Sequence, residues 1–109
     1  MQIQISAQEG YTVVAVDGRI DTVTAGEFDA KLSEYTGKAN PKVIIDCSNL
    51  NYISSSGLRV FLMGQKKVMA NGGKLKICSL QPAIREIFDI SGFSNILSIR
   101  DDVKSAASE

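Results

Sequence analysis

The chain of 109 residues contains no histidine, no tryptophan, two cysteines and two prolines. The absence of histidine removes the most common general base and the most common transition-metal ligand, which disfavours enzymatic chemistry from the start. Cys47 and Cys78 are too few for a disulfide framework and lack the close spacing of a redox or zinc motif. Both lie in apolar strand patterns, where a reduced cysteine acts as a small hydrophobic side chain. We therefore expect no metal site and no cofactor.

An excess of one charge and long apolar segments are also missing. Twelve basic and twelve acidic residues give a formal net charge of zero, which argues against nucleic acid as a partner. The longest apolar runs are about five residues, far below the roughly 20 that span a bilayer. The first five residues alternate in polarity, whereas a signal peptide would be continuously apolar. These features predict a cytoplasmic protein with no membrane span, folded as a single domain over residues 1–109.

The chain does contain an alternation of strand and helix patterns. Period-two alternation predicts a strand over residues 3–7, a turn at 9–10 and a second strand over 11–16 that ends at Asp17 and Gly18. Thr24 and Glu27 have the spacing of a capping box, which predicts a helix that begins near Ala25. Glycine and proline in residues 36–41 end that helix. The first half is therefore expected to form a hairpin followed by a helix.

The second half reads as strand and helix in turn. A buried strand is predicted over residues 42–46 and a helix from about 56 to 70. A strand over 74–78 alternates cleanly, which predicts one solvent-exposed face or a place near a sheet edge. A short helix from Pro82 and a last strand through Ile96 and Ile99 follow, and the tail from residue 101 is expected to fray. This order predicts an α/β fold whose mixed sheet opens with an antiparallel hairpin and continues with parallel βαβ units.

A run of three serines marks the junction between the strand at 42–46 and the following helix, in the segment ISSSGLR at residues 53–59. The amino-terminal end of a helix carries unpaired N–H groups and a partial positive charge, so it favours a hydroxyl cap and also a phosphate. A catalytic serine would need a general base, and the chain has neither histidine nor a Gly-x-Ser-x-Gly motif. The serines are therefore predicted either to cap the helix or to be modified.

The helix after the serines has two contrasting faces at about 100° per residue. One face is predicted to pack on the sheet, and its members are Leu58, Phe61, Leu62, Gln65 and Met69. The opposite stripe consists of Ser56, Val60, Met63 and Lys67. This stripe is either an exposed strip for a partner with Ser56 at one end, or a surface whose Val60 and Met63 pack on a neighbouring helix.

Two carboxylates follow strand patterns. Asp46 is predicted to end the strand at 42–46, and Asp21 lies in the turn before the first helix. Such positions can bring acids together at one end of a sheet. The alternative is that both side chains only accept hydrogen bonds from turn N–H groups.

Four segments in register resemble a known family. They are GRIDTVTA at residues 18–25, IDCSNLNYISSSGL at 45–58, GGKL at 72–75, and PAI at 82–84 followed by FDISGF at 88–93. Together they resemble STAS domains, in particular the bacterial anti-sigma factor antagonists, over nearly the whole chain. The resemblance implies a mixed sheet with helices mainly on one side.

The resemblance also implies a task and a site. A protein of this kind binds an anti-sigma factor with serine kinase activity and so releases a sigma factor. The serine before the loop glycine is the one phosphorylated, which here is Ser56, with Ser55 and Ser54 as alternates. Its neighbours would be Asp21, Asp46 and Gly57. The partner-binding residues would be Val60, Met63, Lys67 and Arg59.

One position departs from the family pattern. The family loop commonly begins with Asp, and this chain has Ser54 there. The loss of that carboxylate lowers the negative charge beside Ser56, so a phosphate there would meet less repulsion. The alternative within the family is an ungated scaffold, or a partner subunit of a stress-sensing complex or of a lipid-transport ATPase.

Overall fold

A computed structural model describes residues 1–108. The elements in chain order are β1 (Gln2–Gln8), β2 (Tyr11–Ile20), α1 (Ala25–Thr36), β3 (Lys42–Ile53), α2 (Ser55–Ala70), β4 (Lys74–Cys78), α3 (Pro82–Ile90), a 3₁₀ helix (Phe93–Asn95), β5 (Ser98–Arg100) and α4 (Val103–Ala107).

The five strands form one sheet in the order β1-β2-β3-β4-β5. β1 pairs antiparallel with β2, and the other three neighbouring pairs are parallel. Each parallel connection contains a helix, as parallel pairing requires. The predicted fold class, an antiparallel hairpin followed by parallel βαβ units, is confirmed.

The two faces of the sheet carry separate cores. The larger core lies under α1, α2 and α3, where Phe28, Phe61 and Phe88 are fully buried against strand residues such as Val14 and Ile45. A smaller core on the opposite face packs under α4, and its buried members are Tyr11, Val13, Ile44, Cys78, Ala106 and Ala107. Helices therefore cover mainly one face, as expected, with α4 on the other.

The carboxy-terminal tail forms a packed helix, so the prediction that it would fray is wrong. Asp102 caps α4, since its Oδ1 accepts a hydrogen bond from the Ser105 N–H at 2.7 Å. Ala106 and Ala107 are buried against the sheet. This packing was not predictable from the sequence pattern, because alanine and serine contribute little to a hydrophobic pattern.

The strands differ from their predicted lengths. β2 continues four residues beyond Val16 to Ile20, with shifts in register against β3 and with Gly18 at φ 105°. β3 runs on to Ile53 although Asp46 was expected to end it. β5 begins only at Ser98, which leaves Ile96 outside the strand and 54% exposed.

Of the two readings of its alternation, strand β4 fits a place near a sheet edge, because it lies next to the edge strand β5, and does not fit a solvent-exposed face. Lys76 is only 6% exposed, and its Nζ lies 5.8 Å from the centroid of the buried Tyr11 ring. The aliphatic stem of lysine can be buried in this way while its charged head interacts with an aromatic face.

The two cysteines are free and buried on opposite faces of the sheet. Burial raises the pKa of the Cys47 thiol well above its ordinary value and raises the pKa of Cys78 to about 11. Both side chains are therefore protonated hydrophobic members of the core at neutral pH, as the sequence predicted.

Candidate functional site

The serine turn is attached to the ends of the two central strands. Ile20 and Ile53, the last residues of β2 and β3, are paired in the parallel register. The Ser54 N–H then donates to the Ile20 carbonyl at 2.8 Å. These contacts place the loop that begins at Asp21 beside the turn that begins at Ser54, although 33 positions separate the two in the chain.

Ser54 is the amino-terminal cap of α2. Its backbone is extended, with φ −91° and ψ 173°, and its Oγ accepts a hydrogen bond from the Gly57 N–H at 3.2 Å. The Ser54 carbonyl accepts from the Leu58 N–H at 3.0 Å, which closes the first turn. The helix thus begins at Ser55, one residue earlier than predicted, and Ser55 and Ser56 occupy its first two positions. Ser54 therefore serves as the helix cap, which leaves Ser55 and Ser56 with hydroxyls outside the cap.

The cap makes a prediction for Ser54. Ser54→Ala leaves the Gly57 N–H without its acceptor, and we expect the free energy of unfolding to fall by about 1 kcal/mol. Ser54→Asp keeps an acceptor at the cap and adds a charge that the helix dipole favours, so it should match or exceed the wild type. Urea denaturation followed by circular dichroism measures both. Equal losses in the two variants would contradict this role for the Ser54 side chain.

Gly57 fixes the start of α2 against the sheet. A Cβ at this position would lie 2.7 Å from Ile20 Cγ2 and 2.8 Å from Ile53 Cγ1. The backbone of α2 therefore packs directly on the side chains of Ile20 and Ile53, and a Cβ at this position would not fit without moving them. The same contact holds Ser55 and Ser56 at a set position above the strand ends.

The Asp21 loop is a closed hydrogen-bonded turn. Asp21 Oδ1 accepts from the N–H groups of Val23 and Thr24, each at 3.0 Å, and from Thr24 Oγ at 3.1 Å. These hydrogen bonds hold the pKa of Asp21 below its ordinary value, and the bond from the Thr24 N–H is the largest cause. Asp21 therefore adds a stable negative charge beside the serine turn.

The capping box predicted at Thr24 is absent. Thr24 Oγ donates to the Arg19 carbonyl at 3.0 Å and accepts from the Asp21 N–H at 2.9 Å, so it faces backward into the Asp21 turn. It makes no side-chain bond to α1. The hydroxyl also lies 3.1 Å from Asp21 Oδ1, so its one proton is shared between that carboxylate and the Arg19 carbonyl, and these contacts replace the cap.

An arginine lies over the loop next to Asp21. The Arg19 guanidinium sits 4.2 Å from the centroid of the Tyr52 ring, and its Nε is 3.8 Å from Asp21 Oδ2. Sequence analysis did not identify this arrangement. The sequence had no signal for it, because Arg19 and Tyr52 are paired only in the extensions of β2 and β3 beyond their predicted ends.

Ser56 is half-buried at the rim of a shallow depression, and its neighbour Ser55 is exposed. The depression has a volume of about 310 Å³, and its lining residues are Ser55, Ser56, Arg59, Leu62 and Phe93. Arg59 and Ser56 are three residues apart on α2, a spacing that places two side chains on one side of a helix. The serines therefore border a surface that is apolar on one side and carries a cation on the other.

The floor of this depression is anchored in the core by aromatic contacts. Phe93 packs edge-on to Phe88 with 6.5 Å between ring centroids, and Phe88 packs on Phe61 at 5.4 Å. Sequence analysis assigned Leu62 to the sheet and did not select Phe93 as a site residue. Both border the serines because α2 is rotated relative to the predicted phase.

The predicted docking stripe on α2 is only partly exposed. Val60 is 8% exposed, so the expectation that it lies on the surface is wrong. Lys67 is exposed, but its Nζ donates to Ser33 Oγ of α1 at 2.9 Å. Met63 remains 43% exposed. The alternative, in which Val60 and Met63 pack on a neighbouring helix, agrees with the burial of Val60 and not with the exposure of Met63.

Asp46 does not lie at the end of its strand. It occupies the middle of β3, where its Oδ1 accepts from the Ser48 N–H at 3.0 Å. Ser54 follows eight positions later, which at about 3.3 Å per residue is more than 20 Å along the strand. The structure therefore brings Asp21, and not Asp46, to the serine turn.

Two further expectations concern metal sites and membrane-spanning helices. Among residues 1–108 there is no group of three or more acidic or cysteine side chains placed to hold a metal ion. Within the same residues, no helix is both long enough and apolar enough to cross a bilayer.

The sequence profile of the STAS domain family matches residues 2–106, which is nearly the whole chain. The chain belongs to the STAS domain family. This STAS domain is 33% identical over 107 residues to BtrV of Bordetella bronchiseptica, named as an anti-sigma factor antagonist, with 98% of this chain and 92% of BtrV covered. It is 26% identical to the anti-sigma F factor antagonist of Paenibacillus polymyxa, with 100% and 94% covered.

The same fold is found in a solved structure. A crystal structure named as an anti-sigma factor antagonist from Thermotoga maritima superposes with a TM-score of 0.91 at 16% identity, covering 97% of this STAS domain and 92% of that chain. At that identity the likeness concerns the fold.

Proposed function

We propose that this protein is an anti-sigma factor antagonist whose binding to an anti-sigma factor is switched off by phosphorylation of Ser56. The observation that carries the proposal is the serine turn itself. It presents two hydroxyls in the first turn of α2, beside Asp21 and an apolar depression. The names of the relatives with 33% and 26% identity support the same partner. Such a partner acts on transcription, so the proposal places the protein in the cytoplasm.

The position of Ser56 suits a charge-operated switch. A phosphate brings about −1.5 to −2 charges, and the dipole at a helix amino terminus favours such a charge by about 0.3–1 kcal/mol. Arg59 is placed on the same side of α2 as a counter-ion. The fold therefore accommodates the modification, and its effect falls on the docked partner.

The partner surface in this proposal differs from the predicted stripe. It comprises Arg59, Leu62 and Phe93 around the depression, together with the exposed Met63. Val60 supports this surface from within the core, and Lys67 is held against α1. A partner that docks here would cover Ser56, so an added dianion would enter the interface directly.

The proposal is tested by exposing the protein to its anti-sigma factor and ATP. Intact-mass measurement should show the addition of one phosphate to the wild type and to Ser55→Ala. Ser56→Ala should gain none, although its cap at Ser54 is intact and its fold unchanged. Lack of any added phosphate on the wild type would favour the ungated scaffold over the switch.

A further inference from the structure

The two edges of the sheet are protected very differently. β5 forms one edge with only three residues, ends in Arg100, and is followed by Asp101, Asp102 and helix α4. Short length, charge and a covering element are the usual means by which proteins prevent pairing at a sheet edge. This edge is protected by its short length and by the adjacent charges, and α4 packs on the face of the sheet beside it.

The opposite edge, β1, has none of these features. It has seven residues, pairs only with β2, and contains no charged residue and no proline. Its register against β2 is continuous from Gln2 to Gln8, without a bulge. Ile5 at its centre is 36% exposed. An uncharged, regular edge of this length exposes backbone donors and acceptors that can accept another strand.

The sequence of β1 is complementary to itself. The seven residues read Gln-Ile-Gln-Ile-Ser-Ala-Gln, so polar and apolar positions are symmetric about Ile5. When two such strands pair antiparallel about a two-fold axis through Ile5, Gln4 lies opposite Ser6 and Ile3 lies opposite Ala7. Every polar side chain then faces a polar one and every apolar side chain faces an apolar one.

Helix α1 adds a second self-complementary feature beside this edge. A groove of about 340 Å³ lies next to β1, and its lining residues are Ile3, Glu27, Ala30, Lys31 and Glu34. A two-fold axis perpendicular to the sheet places both copies of α1 on the same face, side by side and antiparallel. Lys31, which lies 3.7 Å from Glu34 of its own chain, would then face Glu27 and Glu34 of the other copy, so opposite charges line both sides of the contact.

We propose that two copies of this protein associate through β1 to join their sheets into one continuous sheet. The occupant is a second copy because both the strand and the groove complement themselves in polarity and in charge. Seven-residue strands with one helix stripe bury less than the roughly 1,600 Å² of a standard stable interface. The dimer is therefore weak and concentration-dependent, with a dissociation constant on the order of 100 μM.

Cysteine cross-linking tests the register directly. In Ile5→Cys the two thiols meet at the axis, so mild oxidation should give a covalent dimer. Gln2→Cys is the matched control, because its two copies would lie about 20 Å apart at 3.4 Å per residue. A mixture of Gln2→Cys with Gln8→Cys should cross-link again. The native thiols are buried, with the pKa of Cys78 raised to about 11, and do not compete. Equal cross-linking of Ile5→Cys and Gln2→Cys would overturn the proposal.

Sedimentation measures the unmodified association. The wild type should shift from monomer toward dimer between about 10 μM and 1 mM, around the dissociation constant expected above. Ile5→Lys places two like charges at the axis and should weaken the dimer at least tenfold. Val23→Lys adds the same charge at a side chain that is 87% exposed and outside β1, and should leave the dimer unchanged. A wild type that stays monomeric at 1 mM, or equal loss in both variants, would refute the second copy as occupant.

Discussion

Ser56→Glu is expected to weaken binding to the anti-sigma factor by about 30-fold or more. A charge left unpaired within a docked interface costs about 2–5 kcal/mol, and each 1.4 kcal/mol is a factor of ten in affinity. Ser56 is half-buried at the rim of the depression, so a partner that covers Leu62 and Phe93 would desolvate the added carboxylate. Titration calorimetry with purified anti-sigma factor measures the effect.

The same variant should keep its stability. Glutamate in the first turn of a helix is favoured by the dipole, so the free energy of unfolding should change by less than about 1 kcal/mol. Met69→Glu is the matched control, since Met69 lies at the other end of α2 and is 66% exposed. It should bind as the wild type does. Equal loss of binding in both variants would point to a general charge effect and not to a switch at Ser56.

Gly73→Ala is expected to destabilise the fold by about 3 kcal/mol or more. A Cβ on Gly73 would lie 1.9 Å from the Pro41 carbonyl oxygen and 2.6 Å from the Pro41 nitrogen. Neither backbone atom can move freely, because that oxygen accepts from the Lys74 N–H at 2.7 Å. The Gly73 N–H is also held, by the Val68 carbonyl at 2.9 Å. The turns before β3 and before β4 therefore touch backbone to backbone.

A second glycine in the chain provides the control for this prediction. A Cβ on Gly26, near the start of α1, would meet no atom within 4 Å. Gly26→Ala should therefore stabilise the protein by about 0.5–1 kcal/mol, because alanine loses less conformational freedom in a helix. Urea denaturation should therefore show a lower free energy of unfolding for Gly73→Ala and a higher one for Gly26→Ala. A loss below about 1 kcal/mol for Gly73→Ala would contradict the close contact with Pro41.

The order and pairing of the elements were predictable from the sequence because each element carries a regular local signal. The hairpin of β1 and β2 alternates with period two, and α1 begins at Ala25 as expected. The extensions of β2 and β3 were missed because they pass through Gly18 and through the polar residues Ser48 and Asn49. Those residues resemble a loop, and only pairing with the neighbouring strand keeps them extended.

The site was predicted in part, and the errors in that prediction have a common cause. The Ser54 N–H bonds the carbonyl of Ile20, the residue before Asp21, and the role of Asp21 beside a modified Ser56 stays a prediction. The buried face of α2 was misplaced because two of its members, Gly57 and Gly64, carry no side chain and add nothing to a hydrophobic pattern. Gly64 is buried, and a Cβ there would lie 3.1 Å from Leu32 Cδ2 of α1. Since α1 approaches α2 at Gly64 and the ends of β2 and β3 meet it at Gly57, Val60 is buried and Leu62 is turned toward the depression.

In the proposed switch, a phosphate on Ser56 separates this protein from its anti-sigma factor. The switch is tested by titrating the anti-sigma factor with one preparation of this protein. The titration is done before and after that preparation is treated with the kinase activity of the anti-sigma factor and ATP. Untreated protein should bind, treated protein should bind about 100-fold more weakly, and treated Ser56→Ala should bind like the untreated wild type. Unchanged affinity of a preparation shown by mass to carry one phosphate on Ser56 would contradict the account.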